Sequence, residues 1–213
     1  MKPINQLKKL FSLFVVCYGL LSGVAIAQER FGGTVSNNTT SFPVTGYGTL
    51  FHSQFHPGAD LFWELKLNKK VHNQFWFKVD FGGYYHRFFQ TAFRIQPNIN
   101  YRLAISPCFA FDLALGGGYL HSFTEYSRFK LNDTGQYVKV SAVSGRPQYI
   151  AGFMIGANIG LIKASPDKIR LLLQFRTLMQ GPFAKSYVPL LPLNSFALGL
   201  SFPLKSKEVK SNE

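Results

Sequence analysis

His121 and Ser122 stand side by side in this chain, with Glu125 shortly after them. These are the residue types of nucleophilic acyl transfer: a serine hydroxyl, a histidine base and a carboxylate to orient it. Their spacing works against that use. Adjacent residues of a strand point to opposite faces, so His121 and Ser122 meet only if a bulge or loop begins between them. His52 and His86 fall at positions predicted to face inward near one end of the molecule. Two histidines can form an acid–base pair or begin a metal site. A metal needs three or four ligands, however, and the sequence shows no such cluster, so neither metal nor cofactor is expected. Gly116-Gly117-Gly118 lies within a strand pattern and reads as relief of crowding, not as a phosphate cradle.

A larger charged set shares one parity. Asp60, Glu64, Asp80 and Asp112 occupy even positions, as do Lys66, Lys78, Arg94, Arg102, Arg170 and Arg176. In extended chain, even positions face one way, so these residues are predicted to line one enclosed space. Buried charges of mixed sign must pair, because an unpaired one is costly. A packed salt-bridge network is therefore expected, with an ion path or a polar binding site as the alternative.

The elements that must position these residues show the period of two. Leu61, Trp63, Leu65 and Leu67 alternate with Asp60, Phe62, Glu64 and Lys66, and Phe75, Phe77, Val79 and Phe81 with Gln74, Trp76, Lys78 and Asp80. Phe93, Ile95, Ile99, Tyr101 and Leu103 alternate with Arg94, Gln96, Asn98, Asn100 and Arg102, and Pro97 is expected to mark a bulge or irregular edge. Further on, Asp112, Ala114, Gly116 and Gly118 oppose Phe111, Leu113, Leu115 and Tyr119. Aromatic-rich apolar faces opposite small and charged ones suit a narrow barrel standing in lipid. Eight strands are predicted, near 46–55, 59–67, 73–85, 91–104, 109–121, 148–162, 168–179 and 194–204. The first hairpin and the long loop leave ten as the other possible count.

The rest of the chain agrees with export. Lys2, Lys8 and Lys9 precede an apolar stretch that ends in Ala25-Ile26-Ala27, a signal-peptidase pattern that predicts a mature start at Gln28. The domain plan is a signal peptide over 1–27, a flexible leader over 28–45, a barrel over 46–204 and a charged tail over 205–213. Without the signal only Cys108 remains, so no intramolecular disulfide can form. The formal charge of +13 falls to +10 when the three signal lysines are set aside. An exported basic chain meets anionic lipid or lipopolysaccharide phosphate rather than nucleic acid. No later stretch is long and apolar enough for a spanning helix, which leaves the closed barrel as the way to cross a membrane.

Short turns alternate with longer connections, the pattern of a barrel whose loops face outside. The loop over 122–147 carries Arg128, Lys130 and Arg146. The loop over 180–193 mixes Lys185 and Tyr187 with apolar Leu190 and Leu191. The first is expected to touch lipopolysaccharide or a partner, or to be merely solvated. The second is expected to cover the barrel mouth or dock a partner protein.

Tyr85-His86-Arg87, Gly118-Tyr119-Leu120-His121, Gly145-Arg146-Pro147-Gln148 and the run from Pro182 to Pro189 carry a resemblance. The mature chain resembles the small outer-membrane β-barrels of Bacteroidota, within the class that holds OmpA-, OmpX- and OmpW-like barrels. The resemblance implies an all-β, antiparallel up-and-down transmembrane barrel in the outer membrane of a Gram-negative cell. The final alternating strand, Phe196 to Leu204, resembles the segment read by the barrel assembly machinery. Such barrels host many activities. The leading expectation is a non-enzymatic structural or accessory component with a filled lumen; lipid A acyl hydrolysis by His121, Ser122 and Glu125 and a narrow channel are the alternatives. In lipid A deacylases the motif is His-x-Ser, a spacing this chain does not have.

Overall fold

A computed structural model describes residues 28–87, 90–124, 128–140, 145–183 and 189–204. Eight strands close a barrel: β1 (Glu29–Thr39), β2 (Pro57–Lys66), β3 (Asn73–His86), β4 (Gln90–Ser106), β5 (Phe109–Phe123), β8 (Arg146–Gly160), β9 (Arg170–Gly181) and β10 (Leu191–Pro203). Two short strands, β6 (Arg128–Leu131) and β7 (Tyr137–Val140), form a separate hairpin in the long loop. Ten strands therefore exist among the described residues, of which eight make the wall. Each wall strand pairs antiparallel with its neighbours, and β1 closes against β10 from Arg30↔Pro203 to Thr39↔Asn194. The order is that of an up-and-down transmembrane barrel. No described helix is long and apolar enough to cross a membrane.

The alternation read from the sequence becomes a wall with two chemistries. Phe81, Phe93, Leu113, Leu115, Leu198 and Phe202 stand on the outside and are exposed. Lys78, Arg94, Arg102, Asp112, Gln174 and Arg176 point into the lumen and are buried. The turn end carries three connections, 67–72, 107–108 and 161–169, together with both ends of the barrel. The loop end carries 40–56, 87–89, 124–145 and 182–190.

The first strand corrects the sequence reading. The leader expected over 28–45 is largely β1, and the strand expected over 46–55 is a 3-10 turn (Thr45–Gly48) followed by one helical turn (Thr49–His52). Val44 adopts φ 63° as the chain turns into this segment. The segment forms a strap across the outside of β9 and β10. There Tyr47 meets Phe175 edge-on at 5.1 Å, and Phe51 lies 6.0 Å from Phe196. Beneath it, Asn194 donates to the carbonyls of Ser41 and Phe42 and to the Ser41 hydroxyl. Thr177 shares a 2.7 Å hydrogen bond with the Tyr47 hydroxyl, and Asn37 holds Leu50 and His56 through its amide. His52, expected to face inward, is exposed on the strap.

Three further expectations change. Pro97 marks no register shift: Ile95↔Tyr119 and Asn98↔Gly116 keep one register around it, and the irregularity falls at Ala104/Ser106 instead. Gly118 follows from this, since a Cβ there would strike the Ile95 carbonyl oxygen and the Gln96 backbone. Leu191 and Leu193 belong to β10 and are buried, so they seal the lumen from within instead of forming an exposed loop. The signal peptide expected over 1–27 and the tail over 205–213 lie outside the described residues, as do Glu125, Lys185 and Tyr187.

Candidate functional site

Among the described residues, the lumen gathers the wall's buried charges, and it is stacked in layers. At the turn end, Arg102 makes a bidentate pair with Asp112, Nε to Oδ1 at 2.7 Å and Nη2 to Oδ2 at 2.9 Å, and reaches Glu64 at 3.4 Å. Its guanidinium lies 4.8 Å from the centre of the Trp76 ring. Arg170 donates to Asn158 at 3.1 Å and to the Pro107 carbonyl at 2.8 Å, and pairs with Asp167 at 3.3 Å. Lys66, half-buried at this end, sits 6.0 Å from the Trp76 ring.

The next layer is Lys78, fully buried, 3.0 Å from Asp80 and 4.4 Å from the centre of the Phe62 ring. Asn98 donates to Asp80 at 2.8 Å. Above it, Asp60 sits between two guanidinium groups. Arg94 grips both carboxylate oxygens, at 3.2 and 2.8 Å, and Arg176 donates to Oδ2 while also reaching Thr34 at 3.1 Å and Gln174 at 2.7 Å.

The loop end carries two seals of different kinds. Tyr84, Ala92, Leu120, Ile150, Leu178 and Leu193 form an apolar cluster. Beyond it, the Tyr84 hydroxyl donates to Gln180, Gln90 donates to that hydroxyl, and Gln180 donates to Gln148 at 2.7 Å. His56 then stacks on His86 at 3.7 Å. Burial in the loop holds the His56 imidazole below its ordinary pKa of 6.5.

Among the described residues, the buried lumen charges are Arg30, Lys78, Arg94, Arg102, Arg170 and Arg176 against Asp60, Glu64, Asp80 and Asp112. Arg30 was missed by the sequence reading because β1 was taken for a leader. It has no carboxylate partner in its hydrogen bonds: it donates to the Ser201 hydroxyl at 2.8 Å and to the carbonyls of Ser201 and Asp167. Charge-assisted bonds to backbone oxygens satisfy a guanidinium, and the even parity of Arg30, Gly32, Thr34, Ser36 and Asn38 was the signal that could have found it.

The acyl-transfer residues are not brought together. His121 lies on the outside of β5, its Nδ1 2.7 Å from the Tyr119 hydroxyl, whereas Ser122 is buried on the lumen side. Arg146 donates to the Phe183 carbonyl and lies 5.3 Å over the Phe183 ring, which ties β8 to the connection after β9. Arg128 and Lys130 fall in β6, and Leu190 is exposed just before β10. No group of three or more metal-ligating side chains occurs among the described residues.

The class this geometry defines is the small, closed, eight-stranded barrel with a mostly apolar outer wall and polar, buried inward side chains. Among solved structures the chain is similar to Neisserial surface protein A, with a TM-score of 0.51 and 9% identity over 83% of this chain and 96% of that one. It is also similar to the N-terminal β-barrel domain of Pseudomonas aeruginosa OprF (TM-score 0.43, 10% identity, 83% and 100% covered). A third similarity is to the outer membrane enzyme PagL (TM-score 0.47, 10% identity, 82% and 99% covered). At such identities the likeness is one of fold. No family model matches the chain, and no curated protein matches its sequence.

Proposed function

We propose that this chain is an outer-membrane barrel of non-enzymatic character, serving as a structural or accessory component with a plugged lumen. The observation that carries the reading is the stacking of the lumen: three charged layers, an apolar cluster and a glutamine layer lie one above another. An eight-stranded barrel is just wide enough to be filled by its own side chains, and here they fill it with paired charges instead of leaving a path. Outer-membrane residence is supported by the apolar wall between two basic rims. Lys69, Lys70, Lys163 and Lys168 flank the turn end; Arg87, Arg128, Lys130, Lys139 and Arg146 lie in the connections and strand ends of the loop end. Basic rims suit anionic head groups and lipopolysaccharide phosphates. In this reading the turn end is periplasmic, β10 is the strand offered to the barrel assembly machinery, and the exposed loop-end residues, Leu190 among them, are where an outer-membrane protein partner would dock.

Fractionation combined with planar-bilayer recording tests this. The expected result is a membrane-bound, heat-modifiable protein that gives no single-channel steps. A soluble, heat-insensitive protein sinks the barrel in the membrane; regular conductance steps sink the plug.

A further inference from the structure

The outer wall carries a concavity that the barrel does not need. Gly33, Ala59 and Gly83 face outward on β1, β2 and β3, where neighbouring outward positions hold large apolar residues. Val35, Ala59, Gly83 and Phe93 are consecutive partners in one row across the strands, and Gly33, Leu61, Phe81 and Ile95 in the next. The small residues leave a hollow of about 1040 Å³ walled by Leu61, Phe81, Phe93, Ile95 and Leu198. It continues through Val35, Ala59, Gly83 and Phe93 into a second hollow of about 540 Å³ that reaches Phe55 of the strap segment, Tyr85 and Thr91. Along β4 the groove runs from Ile95 to Thr91, about 13 Å at ~3.3 Å per residue. That lies within the ~15 Å that one leaflet contributes to a ~30 Å hydrocarbon core.

We propose that this groove holds the acyl chains of a multiply acylated, phosphorylated lipid of the outer leaflet. The inference rests on the outer-membrane reading above. A hollow in a lipid-facing wall has to be filled by hydrocarbon, because water there finds too few polar partners. Its combined volume exceeds that of an ordinary small-molecule pocket, which favours several chains over one. Its upper end opens at the rim where Arg87 is exposed. Among the described residues, the loop end as a whole carries Arg87, Arg128, Lys130, Lys139 and Arg146 against Asp133, so a phosphorylated head group at this face meets an excess of positive charge. A second copy of the chain presents a convex sheet, which does not enter a hollow.

The test uses the full-length protein purified in dodecyl maltoside, with lipid A or phosphatidylethanolamine added, and counts bound lipid by native mass spectrometry. Ala59→Phe and Gly33→Phe fill the groove. A Cβ at Gly33 meets only ordinary contacts of 3.4 Å, so that variant keeps the wall. Ala157→Phe, an outward position on β8 across the barrel, is the control. The expected result is one lipid A per barrel, retained by Ala157→Phe and weakened about tenfold or more in the two filled variants, all three remaining heat-modifiable. Lipid A kept by the filled variants, equal retention of phosphatidylethanolamine, or a wild-type dimer that the filled variants lose would each overturn the site. A heat-modifiable membrane barrel with no adduct fails the groove alone; a soluble chain fails the outer-membrane reading with it.

Discussion

Asp60 accepts hydrogen bonds from both Arg94 and Arg176 while almost wholly removed from solvent. Removing a partner from such a group leaves guanidinium charge buried without its counterion, a loss of about 3–5 kcal/mol. Asp60→Ala is accordingly expected to lower the free energy of unfolding, measured by urea titration in detergent, by that much. Asp133→Asn, exposed in the β6–β7 hairpin, is expected to stay within about 0.5 kcal/mol. His56 gives the second prediction at this scale. Its folded pKa lies below the ordinary 6.5, with burial as the cause, so the unfolded form binds the proton more readily. The contribution to stability is full above about pH 6.5 and is lost as pH falls through the lower folded value. Proteolysis of the 40–56 connection is therefore expected to quicken on acidification, and His56→Phe, which keeps a ring against His86, is expected to flatten that dependence. An unchanged cleavage rate between neutral and mildly acid pH would refute the role of this imidazole.

At the scale of the element, the strap explains why polar Asn37, Thr177 and Asn194 sit together on a mostly apolar wall: they fasten a second layer. Asn194→Ala removes the donor to Ser41 and Phe42. Its expected effect is local, about 1–3 kcal/mol on opening of the strap, with faster cleavage within 40–56 and an unchanged global midpoint. The same element shows where the sequence was legible and where it was not. Strands β2 to β5 and β8 to β10 were read to within a few residues because large apolar side chains alternate with polar ones along them. Strand β1 was not, since its outward face includes Gly33, which floors the groove, and Asn37, which the strap covers. Its hydrophobic period is erased by those two packing roles. The strap was read as a strand because Leu50 and its neighbours offer too short a window to separate the two periods.

Across the whole molecule, the proposed plug consists of separate layers, and their independence is testable. Leu193→Ala opens a gap in the apolar cluster and is expected to cost about 2–5 kcal/mol. The Asp60 layer beneath it stays intact, so bilayer recordings on this variant are expected to remain silent; channel steps would show that the apolar cluster is the only barrier. Parity alone placed the ten charged lumen residues named from the sequence on the inward side, because a closed wall admits one inside. Which of them pair could not be read that way. Arg176 and Asp60 come from strands 116 residues apart, and their meeting depends on the tilt and register of the closed sheet. The separation of His121 from Ser122, by contrast, follows from period two itself.

The strap also sets an order of events. Tyr47 and Phe42 find Thr177 and Asn194 at sequence separations of 130 and 152, and contacts so distant form late. Strands β1 and β2 can pair as soon as they emerge, but the segment between them has nothing to rest on until the final hairpin, β9 with β10, is in place. A copy cut short before β10 would retain most of its ladders and still leave the carbonyls of Ser41 and Phe42 without Asn194, and the segment free to lift from the wall. The latch that crosses the closing seam is thus a built-in check of completeness, one that quality-control proteases could read from the surface.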